Sequence, residues 1–180
     1  MIGLVFRERH SIDIGLFMKS IDRTVRPGMV KNELLISGRH GSYRYPDNTF
    51  ENRLITVQLT TINRNLSELR QKIRDAAYWL TGEGRLIFDD EPDKFYDAKI
   101  YQVIGLEQIA TSGSFSVVFD CQPFTYSAEL NVVEYTITNS PQTVSVSAQG
   151  THETSPVITI ANTGSNTISG FRIANEYRLE

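Results

Sequence analysis

Residues 79–96 read WLTGEGRLIFDDEPDKFY, and four carboxylates fall within the five positions from Asp89 to Asp93. The stretch is either an acid–base or metal site or the tip of a β-hairpin. The choice separates an enzyme from a building block. The flanks favour the hairpin: Leu86-Ile87-Phe88 is a short apolar run, and Phe95 to Ile104 places Ala98, Ile100, Gln102 and Ile104 on one face. Pro92 presets the backbone angle for a turn, and Asp93 can close an Asx-type bond. A calcium loop needs a ligand at every second position, a central glycine and a distal glutamate, a pattern this stretch lacks. Magnesium sites draw one or two carboxylates from separate elements. The spacing predicts a solvated hairpin tip between paired strands.

Just upstream lies the strongest helix signal. Asn65 and Glu68 stand at capping-box spacing, the asparagine accepting from a first-turn N–H while the glutamate reaches back. Leu66, Leu69, Ile73, Ala76, Ala77 and Leu80 recur every three or four residues, so a helix is predicted from about 66 to 81 with this stripe buried. Gly82 or Gly84 supplies a left-handed stop. Trp79 either packs the helix onto a sheet or anchors an interface.

Elsewhere the pattern is strand. Ile55, Val57 and Leu59 alternate on one face, and so do Phe115, Val117, Phe119 and Cys121, until Pro123 closes that run. Residues 12–16 read as a weak strand or a bend, residues 37–42 as a glycine-marked loop, residues 43–48 as more turn than strand, and residues 112–114 as a turn. After Tyr126 the composition changes: residues 127–180 hold seven charged side chains and are rich in Ser, Thr and Asn. Short alternating strands are expected at 135–138, 144–146, 156–160 and 167–168. The chain therefore divides into 1–126 and 127–180, the latter the opening of a β-sandwich-like domain. Such folds need roughly 100 residues, so this one either borrows strands from a partner or is cut short.

The bulk numbers bound the function. With 180 residues, 40% of them apolar and 22% charged, the chain suffices for one domain or one plus part of another. A net charge of -3 argues against a general binder of nucleic acid or anionic membranes. Cys121 is the single cysteine, so no internal disulfide forms, in keeping with a reducing compartment. Five uncharged residues between Met1 and Arg7 are too few for a signal-peptide core, and no apolar run approaches the roughly 20 residues of a membrane helix. Neither export by the usual route nor bilayer insertion is expected.

No catalytic set is visible. His10, His40 and His152 are scattered, whereas zinc needs three or four converging ligands. There is no Gly-x-Ser-x-Gly elbow, P-loop or dinucleotide fingerprint. Cys121, mid-strand and with no adjacent cation, reads as a buried inert thiol. Arg64, Arg70, Lys72 and Arg74 read as a solvated helix face supported by a Glu68–Lys72 pair. His40 beside Arg39 is a loop residue or a contact for an anion or partner. No cofactor and no metal is expected. Two rival readings stay open: a carbohydrate-binding module, from the Ser/Thr/Asn-rich region and many tyrosines, and a small hydrolase using two of Asp89, Asp90, Glu91 and Asp93.

The layout adds a resemblance. Strands with a Gly38-Arg39-His40-Gly41-Ser42 loop come first; then a helix ending Trp79-Leu80, the run Leu86 to Lys99, and a strand ending Phe119-Asp120-Cys121-Gln122-Pro123-Phe124. Over residues 1–126 this resembles the N-terminal domain of the distal tail proteins of long-tailed phages and prophages that infect Gram-positive bacteria. Pro156 to Ile160 followed by Asn162-Thr163-Gly164-Ser165 resembles the opening of that family's C-terminal galectin-like β-sandwich. The resemblance implies a mainly β, α+β fold: a β-sandwich or split barrel with one helix, then a short, incomplete second sandwich. It implies a virion tail protein, assembled in the host cytoplasm into a ring, usually a hexamer. Such a ring joins the tail tube protein to the tail-tip or receptor-binding apparatus and lets DNA pass through its channel. It carries no catalytic residues. Arg39, His40, Tyr43, Tyr45 and Trp79 are the candidate contact residues.

Overall fold

The computed structural model describes residues 3–46, 49–63, 65–102, 104, 105, 107–109 (backbone), 112–147 and 150–175. They form two compact units, Met1–Asn131 and Val132–Glu180. The first unit holds, in order, β1 (Leu4–Phe6), β2 (Arg9–His10), a 3-10 turn (Ser11–Ile14), β3 (Phe17–Arg23), β4 (Glu33–Leu35) and β5 (Ser42–Arg44). It continues with β6 (Arg53–Ile62), α1 (Leu66–Trp79), β7 (Glu83–Phe88), β8 (Glu91–Lys99), β9 (Glu107–Ile109), β10 (Ser112–Cys121) and β11 (Tyr126–Ser127). The mainly β, one-helix class is observed.

All strand pairs are antiparallel. A nine-stranded sheet runs β2-β1-β7-β8-β10-β6-β3, with β11 paired to β8 and β9 to β10. β10 and β6 share ten register pairs, but β8 meets β10 only at Lys99 and Ala98. That narrow junction is a corner, and the two halves fold over it. Phe6 of β1 and Phe119 of β10, three places apart in the sheet, meet edge to face at 5.3 Å. Strands that do not pair thus face each other across a core, as in a sandwich or split barrel.

The alternation explains what lies inside. Ile55, Val57 and Leu59 of β6 and Phe115, Val117, Phe119 and Cys121 of β10 are buried, and Val57 pairs directly with Val117. Each such side chain contributes about 1.5–3 kcal/mol when fully buried. Leu4 and Phe6 are fully buried too, although a three-residue strand offers too little periodicity to be read in advance. Residues 12–16 prove to be mostly 3-10 turn, closed by Gly15 at φ 74°, and the strand begins after it, at Phe17. Residues 112–114, expected as a turn, open β10 because Ser112–Ser114 pair with both β6 and β9. β8 stops at Lys99, short of the expected 104.

Helix α1 starts as its sequence requires. Asn65 caps it by accepting from the Ser67 N–H at 3.0 Å, and Glu68 turns back to the side-chain amides of Asn63 and Asn65. Asn65→Ala should cost about 1 kcal/mol, read as a lower urea midpoint with unchanged slope. The buried face is Leu69, Ala76, Trp79 and Leu80; Leu66 and Ala77, expected inside, are exposed. The stripe is rotated because the indole, not the methyl of Ala77, fills the space beneath the helix. Gly82, at φ 79°, supplies the left-handed residue beyond the helix end.

The first unit runs past the expected boundary at 126: β11 pairs with β8 and the Ala128 N–H donates to Asp93 O at 2.8 Å. In the second unit, the strands expected at 135–138, 144–146, 156–160 and 167–168 are absent among the described residues. Hydrogen bonds between its described residues include local ones, such as Tyr135 Oη to Ser145 O. Alternation marks which side chains share a face, but a strand also needs a neighbour for its N–H and C=O groups.

Candidate assembly surfaces

The acidic stretch is a hairpin, as its flanks required: Asp89 and Asp90 form the turn between β7 and β8. Its turn is solvated as expected, with Asp89, Asp90 and Asp93 exposed, but most of its carboxylates also have partners. Asp89 Oδ2 accepts the Gly3 N–H at 2.6 Å, and its Oδ1 bonds His10 Nε2 at 3.0 Å. Arg23, from the far edge of the sheet, pairs with both Asp90 and Glu91 and lies 4.8 Å above the Phe88 ring. The acids clasp the first strand and β3 to the β7–β8 turn. Three of the four carboxylates are thereby committed to cations or N–H donors. Among the described residues no three His, Cys, Asp or Glu side chains gather as a metal site would require.

Burial pulls the Asp89 pKa upward, but the hydrogen bonds from His10 and the Gly3 N–H outweigh it and hold the carboxyl below its usual value. A depressed carboxylate pKa contributes stability that is present above the unfolded-state pKa and is lost as pH falls through the folded one. Stability should therefore fall on acidification below about pH 4. Asp89→Asn should make that fall shallower, measured as urea midpoints across the acid range.

Cys121 is fully buried, and its thiol is pushed up to about 12, chiefly by burial with Asp120 adding to it. It is a packing residue. Trp79 is also a core residue: it is 4% exposed, donates from Nε1 to Phe6 O at 2.8 Å and meets the Phe6 ring edge on. Its interface reading is corrected, because a side chain sealed beneath α1 cannot touch a neighbour.

The other four candidate residues lie on one feature. Between Arg23 and Arg53 the chain leaves the sheet as a two-stranded arm. Its lower part is laced by Glu51 N to Gly28 O and Val30 N to Thr49 O, and its upper part is β4 paired with β5. Residues 43–48, expected as mostly turn, supply a strand at Ser42–Arg44 because Glu33–Leu35 offers it a partner. Gly38 and Gly41 take φ near 80° at the tip, the loop their spacing predicted, and they hold Arg39 and His40 in solvent. Among the described residues neither of those side chains forms an ion pair. Glu33 ties the arm together: the Ser42 hydroxyl donates to it at 2.8 Å, Lys31 and Arg44 flank it, and the hydroxyl bond leads in lowering its pKa.

The arm carries an unusual apolar load. Tyr43 and Tyr45 lie edge to face at 5.4 Å on one face, and Leu34, directly opposite Tyr43, shares it. Leu35 on the other face is 83% exposed, and Ile36 at the tip is also open. The run Leu34-Leu35-Ile36, ahead of a glycine-marked turn, was the missed sequence signal. A lone two-stranded ribbon is marginally stable in water, and clustered exposed apolar side chains mark contact sites.

No curated protein sequence matches this chain. Among solved structures it is similar to SPP1 Dit, titled a paradigm of the hub adsorption apparatus in phages infecting Gram-positive bacteria. The two share 16% identity at a TM-score of 0.62, over 72% of this chain and 54% of that one, so this chain matches about half the length of that protein. That likeness is one of fold. The model of the phage tail protein RIFT-related domain matches residues 12–121, from the 3-10 turn through the last residue of β10. The chain belongs to that family of phage tail proteins.

Proposed function

We propose that this chain is a tail hub subunit that self-assembles into a ring, hexameric in the complete tail. In this reading the ring joins the tail tube protein to the tail-tip or receptor-binding apparatus, passes DNA through its channel and does no chemistry. The virion tail is its place of action, with assembly in the host cytoplasm. The observation that carries the reading is the arm: Leu34, Leu35, Tyr43 and Tyr45 are exposed on a ribbon that one copy leaves uncovered. A neighbouring subunit would bury them, with Arg39 and His40 at the polar rim. The clasped carboxylates support the non-enzymatic reading, since a general acid or base must be free to exchange protons with a substrate. Residues 127–180 are read as the opening of a second, β-sandwich-like domain. Sedimentation velocity across a concentration series should show a defined oligomer growing at the expense of monomer. A single monomeric species at every concentration would count against it.

A further inference from the structure

We propose that the hollow at the root of the arm is a carboxylate-binding site. The arm leaves β3 at Arg23 and re-enters the sheet at Arg53, and the hollow between these ends is lined by both arginines with Val25, Glu91, Lys94 and Tyr96. Its cations are unevenly matched. Arg23 takes Asp90 and Glu91, and Lys94 approaches Glu91 at 3.5 Å. Arg53, half-buried, forms no ion pair among the described residues. Its Nη1 donates to the Tyr96 hydroxyl at 3.4 Å, its guanidinium lies 5.7 Å over that ring, and its Nε is buried with no acceptor.

A partly desolvated guanidinium without a counter-charge is unfavourable, and an aromatic face offsets only part of that. Three cations against two carboxylates leave one positive charge facing the opening. A carboxylate meets this need: it carries one negative charge, and its planar oxygen pair suits the open Nη edge of Arg53 with Lys94 beside it. Nucleic-acid phosphate is disfavoured by the chain's net charge of -3. The carboxylate is either a free small acid or an Asp or Glu side chain of a second copy, whose 21 acidic residues outnumber its 18 basic ones. The second source rests on the ring reading, and the first does not. In both cases the ligand pins the two ends of the arm, so the site couples occupancy to arm position.

The test uses the full chain. Melting temperature is followed in rising sodium acetate against equal sodium chloride, and self-association is followed in parallel, for the wild type, Arg53→Gln and Lys94→Gln. A free carboxylate predicts a saturable rise in acetate over chloride that Lys94→Gln weakens and Arg53→Gln removes. A second copy's carboxylate predicts self-association weakened roughly tenfold or more by either variant and inhibited by acetate. Should Arg53→Gln fail to fold, Lys94→Gln, on the exposed rim, carries both readouts. Wild-type response identical in the two salts, together with variants that associate as the wild type does, overturns the site while leaving the ring reading standing. A wild type that never associates overturns the ring reading, and the acetate arm still decides the site.

Discussion

Replacing Trp79 by alanine is expected to lower the unfolding free energy by about 3–5 kcal/mol, the largest single effect in the first unit. The indole does two jobs at once. It fills the space between α1 and the sheet, against the Phe6 ring, and its N–H satisfies the buried Phe6 carbonyl. Trp79→Phe separates them: the packing is largely kept while the carbonyl is stranded, so about 1–3 kcal/mol is lost. Far-ultraviolet circular dichroism in urea is the measurement, because Trp79 is the only tryptophan and its fluorescence disappears with it. A cost under 1 kcal/mol for the alanine variant would mean that the helix is not docked as described.

The second large effect concerns assembly and should leave the monomer alone. Tyr43→Ser combined with Tyr45→Ser removes both rings of the arm's aromatic pair. Both side chains are exposed, so monomer stability should move by no more than about 0.5 kcal/mol. Buried tyrosines at the centre of an interface each contribute about 2 kcal/mol or more, so self-association should weaken by about 100-fold or more. The two rings touch, so their effects need not add. Sedimentation equilibrium reads the association and thermal melting reads the monomer. Unchanged association would move the interface off this face of the arm.

Legibility in the sequence followed the length and regularity of each element. β6, most of β10 and α1 were readable because ten to fourteen residues of periodicity identify the element type, although the buried face of α1 is rotated from the one expected. β1, β4 and β5 have three residues each, too few for any period. The hairpin at Asp89 was readable from its flanks, but its function as a clasp was not. Arg23 lies 67 residues from Asp90, and His10 lies 79 from Asp89, so only the folded sheet brings them together. Gly38 and Gly41 made the loop around Arg39 and His40 legible, whereas Trp79 misled because indoles serve cores and interfaces alike. The alternation after Tyr126 predicted strands, yet none forms among the described residues of that unit.

The central claim is that this tail protein acts by docking copies of itself through surfaces that a single copy leaves open. Negative-stain imaging of the purified chain at high concentration, alone and with its tail tube protein, tests it most directly. Closed rings with a central opening, absent in the Tyr43→Ser/Tyr45→Ser variant, are the predicted result. Isolated globular particles in every condition, even beside the tube protein, would contradict it.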